Sequence, residues 1–499
     1  MFNKISLVTL PKQDLLRPPG ALAILAAACE DFNVDYRIND FNLWLYRNTA
    51  HDIWQKINDN WDAVDPFDAN TDDYYKIFLQ QLDSYIQHSG VLDSDLIAIS
   101  VFSDVSACCA VEFIKRLNAD PARSKFKIVI GGTGIRARLS IFQGADLCQG
   151  LLDDELIDYF IFGEGEIAFR QLIQGTTNYP GINNYNTIQI EDLNQFPVPS
   201  YEKINPWDYE YIAKPEIVIT GSRGCVRKCT YCDVAKYWPK YRYRSGQKIA
   251  DELYHYYKTL GITDFEFSDS LINGSLKMFR EMNLAIIAYQ KKDPNFKISY
   301  KGQYICRPAD SFKEQDYLNM KQAGGDYLYV GVESFSDKVR HDMLKKFNNS
   351  DLDFHLKMCG KYGIKNSFLM LVGYPTETLD DHQKNLQMLK RYQHYAQAGV
   401  IAMIVFGYTA NILEDTPLYH LMDELHIDFD KNSYNTMEWV SLDNPTLTIN
   451  ERIRRWVELT VTASDLGYSM PRMQHYIMKF VSVLEQKKDK FKKFSIKQI

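Results

Sequence analysis

Short apolar runs alternate with amphipathic helical runs along most of this chain, and that alternation limits the available folds more than any other feature. In the first part the apolar runs are 4–10 (KISLVTL), 34–41 (VDYRINDF), 96–102 (LIAISVF), 126–132 (FKIVIGG) and 158–164 (DYFIFGE). Helical patterns lie between some of them, as at 20–32 and 106–117. Buried strands separated by helices need crossover connections, so they build a parallel sheet covered on both faces. Residues 1–193 are therefore expected to form a Rossmann-like α/β domain, with a helical insertion at 45–90.

A second series starts at 216. Its strand candidates are 216–221, 264–270, 297–304, 326–334, 366–374 and 399–409, separated by helical runs such as 248–261 and 275–292. Six β/α units in succession predict a partial (β/α)6 TIM-type barrel over 216–412. Residues 194–215, rich in proline and aromatic residues without periodicity, read as a linker packing on both neighbours. From 413 to 499 the pattern turns mainly helical, with amphipathic runs at 448–468 and 473–494 and a lysine-rich end that reads as a solvated helix.

A chain of 499 residues is expected to hold two or three domains. Its net charge of −7 argues against a dominant nucleic-acid-binding surface; a small-molecule or natural-product-like substrate is the expected partner. No apolar run is long enough to span a bilayer, and the start MFNKISLVTL reads as a strand rather than a signal peptide. The expected compartment is the cytoplasm, where the nine cysteines would be thiols or metal ligands rather than disulfides.

Ligands of open α/β sheets sit at the carboxyl ends of the strands. Three turns there draw attention: 11–20, then 131–136 with Gly131 and Gly132, then 163–166 with Gly163 and Gly165. Glycine lets a backbone approach a ligand closely, and equally serves a turn that binds nothing. The stronger signal is RGCVRKCTYCD at 223–233, which places Cys225, Cys229 and Cys232 directly after the first strand of the second series. Structural zinc wants four ligands, and the next cysteine, Cys306, is far along the chain. Clustered thiolates favour an iron–sulfur cluster, and three ligands on a 4Fe–4S cluster leave one iron open to bind a reactant. Cys29, Cys108, Cys109, Cys148 and Cys359 lie in apolar or helical surroundings and read as small core residues. The ten histidines form no HxxxH-like pair that would call for a second metal.

The CxxxCxxC spacing, with Tyr231 before the last cysteine, resembles the signature of the radical S-adenosylmethionine (radical SAM) superfamily. GGDYLYVGVES (324–334), FLMLVGYPTET (368–378) and NILEDTPLY (411–419) resemble that superfamily's later strand motifs in the right order. The resemblance implies a 4Fe–4S cluster on Cys225, Cys229 and Cys232, with S-adenosylmethionine on the open iron. It implies Tyr231 near the adenine, and Asp269 and Ser270 near the methionine amino group, although the usual Gly-Gly-Glu is absent there. Glu333 would contact the ribose or methionine part, and Gly373 the adenine side. Arg223 would tune the cluster, bind substrate or only pack; Arg307 would be an anion contact or a surface ion pair.

An N-terminal α/β domain, a linker and this barrel resemble the cobalamin-binding-domain branch of the superfamily. VIGGTG and YFIFGEGE match its fourth and fifth strand ends, which implies cobalamin near Gly131, Gly132, Gly163 and Gly165. The chain has no Asp-x-His-x-x-Gly, so no histidine would ligate cobalt, and GGTGIR departs from the branch's histidine after Gly-Gly. The implied activity is hydrogen abstraction leading to methylation of an unactivated carbon. Ring formation, rearrangement or methylthiolation without cobalamin is the alternative. A reductant such as flavodoxin or ferredoxin would supply electrons. A non-catalytic cluster protein is the reading from another class, and the strand motifs beyond the cysteines argue against it.

Overall fold

The computed structural model describes residues 2–13, 15–60, 73–137, 146–209, 214–430 and 436–471. It divides into two compact units, Met1–Val218 and Ile219–Ile499. The helix expected at 473–494 and part of the insertion, 61–72, lie outside the described residues.

In the first unit β1 (Lys4–Thr9), β2 (Asp35–Asp40), β3 (Leu96–Ser100), β4 (Lys127–Gly131) and β5 (Tyr159–Ile161) form one sheet in the order β2-β1-β3-β4-β5. Every pairing is parallel. The apolar side chains of β1 and β3 (Ile5, Leu7, Val8, Leu96, Ile97, Ile99) are buried, as unbroken apolar strands require. β2 lies at the edge, and its mixed sequence DYRIND matches its mixed burial. The insertion is helical where described. Its helices Phe41–Asn48, His51–Asn60 and Asp73–His88 bury Phe41, Leu45, Trp54, Phe78 and Tyr85 in the same core. Residues 196–209 lie on this unit: the Ser200 N–H donates to the Ala23 carbonyl (2.9 Å) and the Tyr209 hydroxyl to Asp40 Oδ2 (2.6 Å). The strand order reverses between β1 and β3, so their carboxyl ends open a crevice of the kind that holds ligands in doubly wound folds.

The second unit is built on β6 (Glu216–Ile219), a short antiparallel pair β7 (Ser222–Arg223) and β8 (Arg242–Tyr243), then β9 (Asp264–Phe267), β10 (Ser299–Tyr304), β11 (Gly325–Glu333), β12 (Lys365–Val372) and β13 (Ile401–Thr409). The large sheet runs β13-β12-β11-β10-β9-β6, with parallel pairing from β9 to β13. Sequential parallel order is that of a partial (β/α)6 barrel. The connecting helices carry the stops the sequence encodes. Ser245 caps Gly246–Leu260, and Gly261 ends it at φ 70°; Thr378 and Asp381 form a capping box on Leu379–Gln397.

The region after 413 is less purely helical than its pattern predicts. β14 (Ile427–Phe429) and β15 (Trp439–Ser441) form a two-stranded antiparallel ladder that buries Trp439. Three-residue strands are too short to show a period of two, which is why the pattern hid them. The helix Ile449–Asp465 follows, burying Arg452, Arg455, Trp456 and Leu459. Among the described residues no helix is long and apolar enough to cross a membrane.

Candidate functional site

The three cysteines lie in the loop between β7 and β8, at the carboxyl end of β6. Its base is tight. Gly224 has φ 79°, and a Cβ there would stand 2.6 Å from the Lys240 carbonyl oxygen, so the Arg-Gly step before Cys225 needs glycine. The middle of the loop is pinned from three later strand exits. The Thr230 N–H donates to the Met343 carbonyl (3.2 Å), the Leu418 N–H to the Thr230 carbonyl (2.7 Å), and the Thr230 and Tyr374 hydroxyls share a hydrogen bond of 2.8 Å. Cys229 is buried, while Cys225 and Cys232 are half-buried. The Arg227 N–H donates to Cys225 Sγ (3.3 Å). Burial raises the thiol pKa of Cys232 to about 11; it also raises that of Cys229, where the charge of Lys345 works in the other direction. Among the described residues no three His, Cys, Asp or Glu side chains are gathered to hold a single metal ion. Three thiols on one loop, with no fourth ligand in the motif, are the donor set of a polynuclear cluster in which each thiolate binds its own iron.

Asp269, just past β9, is 1 % exposed. Its carboxylate accepts from the Gly221 N–H (2.8 Å) and the Ser222 hydroxyl (2.5 Å), the residues that lead into the cysteine loop. The structure thus places Asp269 as a brace of that loop, with Ser270 half-buried beside it. Burial raises the Asp269 pKa to about 7 from 3.8, against the two hydrogen bonds. A carboxyl raised in the folded state contributes stability below its unfolded pKa that is lost as pH rises through its folded one. Relative to Asp269→Asn, the native chain should lose about 2 kcal/mol between pH 5.5 and pH 8. Denaturant midpoints of both proteins at the two pH values measure this. A gap that stays constant with pH would show that Asp269 is ionised throughout.

Glu333 ends β11 at φ 63°, beside a register shift between Gly331 and Glu333 that re-aims its side chain. Its Oε1 accepts from Lys345 Nζ (3.0 Å), and Lys345 Nζ also donates to the Tyr231 hydroxyl (3.2 Å). Side-chain exposure is 8 % for Lys345 and 13 % for Glu333, so the pair is held largely away from water. Burial disfavours the Lys345 charge, but Glu333 and then Cys229 outweigh it, and the pKa ends above its ordinary value. Gly331 makes room for this pair: a Cβ there would lie 2.8 Å from Glu333 Oε1 and 2.9 Å from Lys345 Nζ. Tyr231 and Glu333, both picked from the sequence, are therefore joined through a lysine that the sequence reading did not single out. Lys345 sits in a Lys-Lys pair that looks like ordinary surface, and only the close approach to Gly331 distinguishes it.

Gly373, at the exit of β12, has φ 75°, and its missing Cβ makes room for the Arg452 side chain (2.7 Å to Cγ and Cδ). Its N–H donates to Glu377 Oε2 (3.2 Å). Arg307 follows β10, and Arg223 is half-buried in β7.

In the first unit the four singled-out glycines fall into two kinds. Gly163 (φ 84°) would place a Cβ 2.5 Å from Thr187, and Gly132 (φ 104°) 2.4 Å from the Val101 carbonyl oxygen, so the protein's own packing demands both. Gly131 and Gly165 meet nothing closer than 3.5 Å and 3.2 Å. Phe102, just past the carboxyl end of β3, is 65 % exposed, a large apolar ring left open at a strand end. Gly131 ends the neighbouring β4, with nothing closer than 3.5 Å to a Cβ placed there, and among the described residues of these two strand ends there is no histidine.

Residues 219–389 match the Radical SAM superfamily. The chain is 24% identical over 258 residues to an uncharacterized methyltransferase of Pyrococcus horikoshii, covering 48% of this chain and 54% of that one. It is 24% identical over 273 residues to the anaerobic magnesium-protoporphyrin IX monomethyl ester cyclase of a Synechocystis species, covering 51% and 52%. The chain thus spans about half the length of these curated relatives. In fold it resembles the radical S-adenosylmethionine methyltransferase TsrM of Kitasatospora setae, solved with cobalamin and a [4Fe-4S] cluster (TM-score 0.62, 16% identity, 88% of this chain and 82% of that one). It also resembles the cobalamin-dependent S-adenosylmethionine radical enzyme OxsB (TM-score 0.62, 15% identity, 86% and 62%).

Proposed function

We propose that the chain, whose residues 219–389 match the Radical SAM superfamily, is a cobalamin-dependent radical SAM methyltransferase acting on an unactivated carbon of a small molecule. The observation that carries this reading is the three-cysteine loop pinned at the carboxyl end of the parallel sheet, with the Tyr231–Lys345–Glu333 cluster against it. Cys225, Cys229 and Cys232 would hold the cluster, and Glu333 and Lys345 would offer S-adenosylmethionine one acceptor and one donor. Tyr231 and the Gly373 turn would flank its adenine. A 4Fe–4S cluster with S-adenosylmethionine supplies reductive cleavage and a hydrogen-abstracting radical, and cobalamin supplies a transferable methyl group. The chain's own part is to fix the loop through Thr230 and Asp269 and to keep Lys345 charged beside it. In the first unit, Phe102 and Gly131, at the carboxyl ends of β3 and β4, would receive the corrin.

Ring formation without methyl transfer is the second reading, because a cyclase matches as well as a methyltransferase does. Anaerobic reconstitution with iron and sulfide, with and without hydroxocobalamin, followed by desalting and visible spectroscopy, separates the two. Retention of about one cobalamin per chain beside the cluster absorption is the expected result. A cluster that cleaves S-adenosylmethionine in a chain retaining no cobalamin would leave the second reading standing.

A further inference from the structure

We propose that Arg227 and Arg307 form a binding site for an oxyanion of the substrate, a carboxylate or a phosphate; the proposal rests on the second unit being a radical SAM active site. Arg227 lies in the cysteine loop between Cys225 and Cys229, and Arg307 follows the carboxyl end of β10. One edge of the Arg307 guanidinium is already fixed: Nη2 donates to the carbonyls of Asn273 (2.6 Å) and Gly274 (2.9 Å). That support is itself rigid. Asn273 is fully buried, donates to the Ile305 carbonyl (2.8 Å) and accepts the Ile305 N–H (3.2 Å). Arg307 is therefore held in one orientation without help from a ligand.

The rest of the pair is unsatisfied. Nε of Arg307 and Nε of Arg227 are both buried without a hydrogen-bond partner. Among the described residues neither guanidinium has a carboxylate within ion-pair distance. The charge of Arg307 is disfavoured first by burial and then by the like charge of Arg227. Buried donors without acceptors and neighbouring cations without an anion are both costly, and one oxyanion accepting from both forks relieves both costs. Guanidinium geometry selects a planar carboxylate or a phosphate over a halide. Two molecules could bring that group: S-adenosylmethionine and the substrate. The Tyr231–Lys345–Glu333 cluster, on the β11 side of the same loop, already supplies a cation for the former, so the arginine pair is assigned to the latter.

The test uses the full chain carrying its reconstituted cluster. Calorimetric titration with inorganic phosphate, succinate and S-adenosylmethionine is carried out on the native protein, Arg227→Gln and Arg307→Gln, with iron content as the folding control. The expected result is that phosphate or succinate saturates the native protein, and that its Kd rises at least about tenfold in either variant while that of S-adenosylmethionine changes less than about twofold. The anion that binds more tightly names the substrate's group. A tenfold weaker S-adenosylmethionine in the variants would assign the arginines to the cofactor and overturn the proposal. So would a native protein that neither anion saturates. Should Arg307→Gln lose iron because its loop is released, Arg227→Gln, which anchors no backbone carbonyl, decides the matter. Failure of the native chain to hold iron or cleave S-adenosylmethionine would instead overturn the reading on which the proposal rests.

Discussion

Replacing any one of Cys225, Cys229 and Cys232 with alanine is expected to abolish iron retention and S-adenosylmethionine cleavage while leaving the fold intact. The bonds that shape the loop do not pass through the thiols. They are the Thr230 and Leu418 backbone bonds, the Thr230–Tyr374 hydroxyl pair, and Asp269 on Gly221 and Ser222. Each variant should therefore stay within about 1 kcal/mol of the native stability. Losing a first ligand has a larger effect than losing a second-sphere partner, which alone costs 10–100-fold in comparable sites, so cleavage should fall by roughly a thousandfold or more. Cys306→Ser and Cys359→Ser are the matched controls. Both thiols are fully buried, Cys359 beside His355 and Asn366, and burial raises both pKa values. Those two variants should lose stability and keep iron. A Cys229→Ala protein that still carried about four irons per chain would refute the assignment of the loop.

The alternation of apolar runs located each of the main strands to within a few residues, because a buried parallel strand is unbroken in sequence and bounded by turn residues. The spacing of Cys225, Cys229 and Cys232 is legible for a related reason: it lies within one loop, and the structure keeps all three in the loop between β7 and β8. Lys345 is not, because its meaning comes from Gly331 and Glu333, which approach it only through the fold. The same holds for Tyr374, which reaches back to Thr230 across the sheet. The resemblance implies a ligand at Asp269, yet its carboxylate is directed at Gly221 and Ser222, a choice that sequence position cannot show. Gly132 and Gly163 carry a similar lesson. A glycine at a strand end serves a ligand or the protein's own packing, and only the position of Val101 and Thr187 decides which. Arg452 and Arg455 lie in a run of amphipathic pattern, yet both are buried.

Arg455→Met is expected to destabilise the second unit by about 3–5 kcal/mol at pH 8, the range for breaking one side of a buried ion pair. Arg455 Nη1 lies 3.0 Å from Glu377 Oε1 with side chains only 2 % and 1 % exposed, and it also donates to the carbonyls of Glu377 and Thr378 (3.1 Å each). Its Nε donates to Glu451 (2.9 Å). Burial raises the Glu377 pKa to about 6, with Arg455 opposing the rise. Without the guanidinium that opposition disappears, and the Glu377 pKa must climb further. The sign follows from linkage: a carboxyl raised above its unfolded value gives stability that is present at low pH and lost as pH rises through the folded pKa. The variant should therefore recover part of its loss on acidification from pH 8 to pH 6. Adding Glu377→Gln should recover stability at pH 8 as well, because a neutral amide does not need the cation. The other Glu377 oxygen accepts the Gly373 N–H, and the next residue, Tyr374, holds Thr230 in the cysteine loop. Loosening this pair is thus expected to slow cluster assembly in the variant even where the chain remains folded. Denaturation at both pH values, with iron uptake measured at pH 6, separates the two effects. A loss that is independent of pH and untouched by Glu377→Gln would show that Arg455 acts by packing alone.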